Sequence, residues 1–73
     1  MPKPEYYPHT IETRLGYLVE ECGEVLAAVG KTQRWGLDSF NPEPGACAET
    51  NREWVLRELN DLETAIQLVR EAI

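Results

Sequence analysis

The sequence predicts an all-α fold: a helical hairpin with a long loop, assembling by oligomerisation into a four-helix bundle. Three observations predict it. Two segments carry apolar residues at a 4-3-4-3-4 spacing, a stretch holding two Pro and two Gly separates them, and no strand-like alternation occurs anywhere. With 73 residues the chain is one domain at most, residues 1–73, and small for burying a core of its own.

The elements follow in order. Residues 1–9 include three prolines and read as an extended arm. Thr10 is a suitable N-cap, and a first helix is expected over residues 10–30 with Gly30 as its stop. Residues 31–49, KTQRWGLDSFNPEPGACAE, form a loop whose length is more common in functional or mobile connections. Thr50-Asn51-Arg52-Glu53 is a capping box, so a second helix is expected over residues 50–73. Each helix would be ~30 Å long at 1.5 Å per residue.

The apolar stripe of the first helix is Ile11, Leu15, Leu18, Cys22, Val25 and Val29; that of the second is Val55, Leu59, Leu62, Ile66, Val69 and Ile73. Such spacing marks the seam of a bundle or coiled coil. Two helices cover only part of each other's stripe, and Val19, Leu26 and Leu56 widen the apolar faces. A homo-oligomer, dimer or tetramer, is therefore expected. Gly16 and Gly23, with Gly30, recur every seven residues on the first helix. The cost of glycine in a helix interior points to a close approach by another helix at a subunit interface.

Composition narrows the partners. A net charge of −6 argues against binding a nucleic-acid polymer, which needs clustered Lys and Arg. It leaves room for a phosphorylated small molecule, since a divalent cation reverses the local sign of an acidic site. No apolar run reaches the ~18 residues of a membrane span, and the start lacks the apolar core of a signal peptide, so a cytoplasmic location with no membrane partner is expected. Cys22 and Cys47 are too few for a disulfide scaffold, and Cys22 on the apolar stripe reads as a reduced core residue.

Beside each seam runs a second stripe of matching register: Tyr17, Glu21, Glu24, Ala28 on the first helix and Trp54, Glu58, Asp61, Ala65 on the second, offset by 37 residues throughout. Glu21 and Glu24 lie about 60° apart on one flank, as do Glu58 and Asp61, so packing the helices along their seams lets the two pairs converge. Four carboxylates facing one gap repel unless something neutralises them. A hard divalent cation does so, Mg²⁺ or in its place Mn²⁺, because both take oxygen ligands. The one histidine, His9, lies outside both helices, which removes the Glu-x-x-His pattern of di-iron bundles and the usual zinc donors. Glu20 points away from the seam. The bland reading of the same residues is a pair of solvated acidic faces; small Ala28 and Ala65, where long solubilising side chains would be expected, weigh against it.

The segments LVEECGEVLAAVGK and LRELNDLETAI resemble the MazG-like nucleotide pyrophosphohydrolases of the all-α NTP pyrophosphatase group, in its phage and mobile-element branch. That signature is Glu-Glu-x-x-Glu on one helix and Glu-x-x-Asp on a later one, here Glu20, Glu21, Glu24 and then Glu58, Asp61; Asn60 stands where the family commonly has glycine. The resemblance covers roughly residues 15–70. It implies Mg²⁺-dependent hydrolysis of a nucleoside triphosphate to monophosphate and pyrophosphate, a house-cleaning of nucleotide pools. By that resemblance Glu21, Glu24, Glu58 and Asp61 would be metal ligands, and Glu20 a further ligand or a base that orients water.

Other residues carry two readings each. Lys31 and Arg34 are candidates for contacting phosphates and equally suit a helix C-terminus. Tyr17 and Trp54 would line a nucleotide pocket or pack the bundle. Trp35 and Phe40 would stack on a base or anchor the loop. Asp38 and Asn51 enter as sugar or base contacts through the resemblance alone. Two further functions compete with the enzyme: a non-catalytic helical dimerisation or regulatory module, and a sensor that holds metal and nucleotide without cleaving.

Overall fold

A computed structural model describes residues 7–40 and 48–73, which form two α-helices and, among the described residues, no strand. Residues 1–6 of the expected arm, and 41–47 of the expected loop with Cys47, lie outside the described residues. Helix α1 spans Ile11–Trp35 and α2 spans Asn51–Ala72.

Both N-termini are closed by side chains. Thr10 Oγ1 accepts the Thr13 N–H at 3.1 Å and Thr13 Oγ1 accepts the Thr10 N–H at 3.1 Å, a reciprocal box built from two threonines. At α2 the box is the one read from sequence: the Glu53 N–H donates to Thr50 Oγ1 at 3.2 Å and the Thr50 N–H to Glu53 Oε1 at 3.0 Å. Each box satisfies two of the amide groups that a helix start leaves without a partner.

Helix α1 does not stop at Gly30. It runs five residues further, so Lys31 and Arg34 are helical rather than loop residues. One glycine costs a helix only ~0.5–1 kcal/mol, which a continuing run of backbone bonds readily carries. The stop is Gly36, at φ +90°, a left-handed conformation that side chains disfavour, and its N–H closes on Thr32 O at 2.8 Å.

The described residues after Gly36 are tied to the start of α2. The Asn51 and Arg52 amides donate to Ser39 O and Leu37 O at 2.7 and 2.9 Å, and Asn51 Nδ2 donates to Gly36 O at 2.9 Å. At the other end of the hairpin Arg14 donates to Pro8 O at 3.0 Å and Leu68 O at 2.7 Å. The start of α1 thus meets the end of α2, and the helices are antiparallel.

The packing differs from the sequence expectation in one respect. The helices do not meet along their apolar seams. They meet along the second stripe: Ala28 and Ala65 are both fully buried, and Tyr17, Glu21, Trp54, Glu58 and Leu68 are buried with them. Alanine has the smallest side chain that still favours a helix, so this is the stripe on which two backbones approach most closely. Each seam sits about a quarter turn round its helix from that contact. Because the helices are antiparallel, both seams come to the same side of the hairpin. There they form one apolar face whose members are half-buried or exposed, Leu15 at 47% and Leu59 at 38% among them. Cys22 belongs to this face and is exposed, so within the single chain it is not a core residue. Val19, Leu26 and Leu56 lie on the outer backs of the helices, at 73%, 72% and 56% exposure.

Candidate functional site

The contact that buries the alanines also brings the carboxylates together. Glu21 and Glu24 from α1 and Glu58 and Asp61 from α2 each offer an oxygen, and these four atoms lie within 4.8 Å of one another. Helical phase is the cause. Each acid pair is spaced three residues apart, so both members stay on the contact face, one turn from the alanine that lets the helices close.

The four environments differ. Glu21 and Glu58 are buried, at 7% and 4% exposure, Asp61 is half-buried, and Glu24 is exposed. Glu58 Oε1 accepts a bond from Arg57 Nη1 at 2.8 Å. Oε2 of Glu58 and Oε2 of Glu21 are buried with no partner. Burial without compensation disfavours the charged form. It pushes Glu21 and Glu24 up from the ordinary carboxyl range and takes Glu58 up to about 7, with the neighbouring Glu24 adding to the effect at Glu58. The Tyr17 hydroxyl is also buried without a partner, and burial followed by the Glu21 charge raises its pKa.

This arrangement fits a hard divalent cation. The donor set is all oxygen, two donors are buried and carry orphaned lone pairs, and a cation would compensate both the burial and the mutual repulsion of the carboxylates. The site opens on the side of the hairpin opposite the apolar face, through a cavity of about 260 Å³ lined by Glu24, Ala27, Trp54, Arg57 and Glu58.

The remaining candidates fall into separate places. Glu20 is exposed and outside the four-oxygen cluster, yet close enough for its charge to raise the pKa values of Tyr17 and Glu24. Trp54, 3% exposed, forms an apolar wall of the cavity, whereas Tyr17 packs with Ala65 and Leu68 in the core. Lys31 and Arg34 line a different groove with Trp35, Ser39 and Phe40, where Trp35 and Phe40 are 61% and 65% exposed. Asp38 is exposed and paired with Arg52 at 3.2 Å. Asn51 is buried, its Nδ2 engaged by Gly36 O, so its observed role is to join the loop to α2. His9 is exposed, with its ring against that of Tyr7 at 4.9 Å.

Sequence reasoning passed over Arg57 and Glu49. Arg57 Nε and Nη2 donate to the two carboxylate oxygens of Glu49 at 2.8 and 3.1 Å, while Nη1 reaches Glu58. Glu49, first among the causes, holds the guanidinium even more firmly protonated than usual. The available signal was a lone cation next to Glu58 on an acidic stripe. No protein-family model matches the chain, and no curated protein or solved structure is detectably similar to it.

Proposed function

We propose that the chain is a Mg²⁺-dependent nucleoside triphosphate pyrophosphohydrolase, with Mn²⁺ as a substitute, converting an NTP or dNTP and water to the monophosphate and pyrophosphate. The observation that carries this reading is the convergence of four carboxylates from two helices, two of them buried with an unpartnered oxygen. The resemblance of Glu20-Glu21-x-x-Glu24 and Glu58-x-x-Asp61 to the MazG-like signature supplies the reaction class.

Glu21, Glu24, Glu58 and Asp61 would hold the cation, whose contribution is to offset negative charge on the phosphate oxygens. Glu24, the exposed member, stands where a ligand enters, and Trp54 keeps water from one wall of the cavity. Glu20 is exposed next to the cluster and suits orienting the water that attacks the α-phosphorus, because a solvated carboxylate there accepts its proton. The half-exposed apolar face supports assembly of two hairpins into a four-helix bundle, which would leave the cavity on the opposite side open.

The test is pyrophosphate release from a panel of NTPs and dNTPs with Mg²⁺. Turnover is expected with at least one of them and should be lost in Glu24→Gln and Asp61→Asn. Activity that survived both substitutions would remove the four carboxylates from the reaction. Binding without turnover on any substrate would make the protein a sensor.

A further inference from the structure

When all four carboxylates ionise to hold a cation they carry four negative charges, and one divalent cation offsets two of them. A polyphosphate brought to that site meets a surplus of negative charge and needs a cation of its own. Arg57 is a cation hydrogen-bonded to a member of the cluster, Glu58, and it also lines the cavity at the cluster's mouth. Its side chain is 51% exposed, so it faces both the cluster and solvent.

A guanidinium has five N–H donors. Arg57 spends three of them: one on Glu58 and two on Glu49. One N–H on Nη1 and one on Nη2 are left to donate to phosphate oxygens. Glu49 immediately precedes the α2 cap residue Thr50, so its bidentate grip fixes the guanidinium to the rigid start of that helix. Lys31 and Arg34 are poorer candidates for the same task. They start ~10 and ~15 Å along α1 from Glu24, at 1.5 Å per residue, and line their own groove.

We propose that Arg57 is the anion-binding residue of the carboxylate site, held in place by Glu49 and Glu58, and that it selects polyphosphates over single phosphates by contacting a phosphate beyond the one at the cation. The inference rests on the reading that the four carboxylates hold a divalent cation. Orthophosphate reaches the cation alone; inorganic triphosphate spans the cation and Arg57 together.

Calorimetry tests this in two stages. Mn²⁺ is titrated into the wild-type protein first. Triphosphate and orthophosphate are then titrated into each variant at Mn²⁺ concentrations that saturate it. Wild-type protein should prefer triphosphate by about tenfold or more, the effect of one charged hydrogen-bonding group, and Arg57→Gln should reduce that preference to about twofold. Arg57→Lys keeps the charge but loses the guanidinium, so at least about a threefold loss of preference is expected. Glu49→Gln keeps an acceptor for the guanidinium and does not touch the anion, so it should retain most of the preference.

An Arg57→Gln protein with the wild-type preference would overturn the proposal and leave Arg57 a structural clamp. If that variant does not fold by circular dichroism, an unchanged preference in Arg57→Lys overturns it instead. Wild-type protein that binds no Mn²⁺ overturns the cation reading itself, a result distinct from either.

Discussion

Glu24 of α1 and Glu58 of α2 face each other across the helix contact, an oxygen of each within 4.8 Å of the other. Two carboxylates this close, one of them buried, favour a proton on one of the pair. Glu58 is the more deeply buried, and burial first and Glu24 second push its pKa up to about 7, whereas Glu24 reaches solvent. A proton on Glu58 and a divalent cation are alternative solutions to the same crowding. Stability, pH and metal are therefore linked through this pair.

The first prediction is a pH profile. The Glu58 pKa is raised from 4.5 to about 7 in the folded chain, so folding takes up a proton between those values. The resulting stability is fully present below about pH 4.5 and is lost as pH rises through about 7. Glu21 and Glu24 are shifted the same way and add to the loss. The exposed Glu53 is shifted downward by its capping bonds and acts only at lower pH. Urea denaturation in EDTA should show the protein less stable at pH 8 than at pH 5, by on the order of 2–3 kcal/mol. A flat or rising profile would mean the carboxylates do not crowd one another in solution.

Glu58→Gln separates proton from metal. The amide is neutral at every pH and so avoids burying a charge among the other carboxylates; the metal-free variant should be more stable than wild type at pH 8 by about 1–2 kcal/mol, and its pH profile should flatten. The same substitution removes a cation ligand. Mg²⁺ at about 100 times its Kd should stabilise wild type by ~2.7 kcal/mol and leave the variant unchanged. Thermal melts with and without Mg²⁺ read both effects, and a variant that kept the full Mg²⁺ response would exclude Glu58 as a ligand.

Much of this arrangement was legible in the sequence, for identifiable reasons. Helical periodicity placed both helices, and the Thr50–Glu53 box marked the start of α2. The matched register of the acid pairs anticipated that they converge. The choice of contact face was not legible. The seams hold the larger apolar side chains, and periodicity ranks stripes by hydrophobicity rather than by how closely two backbones can approach. The end of α1 was misread because Gly30 and Gly36 look alike in sequence, and only the second takes the positive φ that requires glycine. Arg57 was missed because its partner Glu49 lies across the helix start, a contact that helical spacing alone does not display.

Ala28→Leu tests the alanine contact directly. Ala28 has no exposed surface and neither does Ala65, so the added carbons have no free space and must push the helices apart. Overpacking of this kind costs about 1–3 kcal/mol. The same movement separates Glu24 from Glu58, so the pH dependence of stability should shrink along with stability itself. Chemical denaturation at pH 5 and pH 8 measures both. A variant that lost stability but kept the full pH dependence would show that the alanines do not set the spacing of the acids.

The last prediction distinguishes a dimer from a tetramer. The apolar seam face and the outer back of α1 lie roughly a third of a turn apart, and Gly23 is on the back, with exposed Val19 and Leu26 flanking it. A Cβ built at Gly23 meets nothing within 4 Å. In an isolated hairpin, or in a dimer joined by the seam face alone, Gly23→Ala should therefore stabilise by ~0.5–1 kcal/mol through helix propensity. A helix from another subunit packed closely on that back would reverse the sign, because the methyl would then hold it off. Leu59→Lys on the seam face supplies the comparison: it should break the dimer whichever state the wild type adopts. Sedimentation of both variants, with denaturation at two protein concentrations, gives the answer. A Gly23→Ala protein that gains stability and assembles as before would confine assembly to the seam face and leave Gly23 without a packing role.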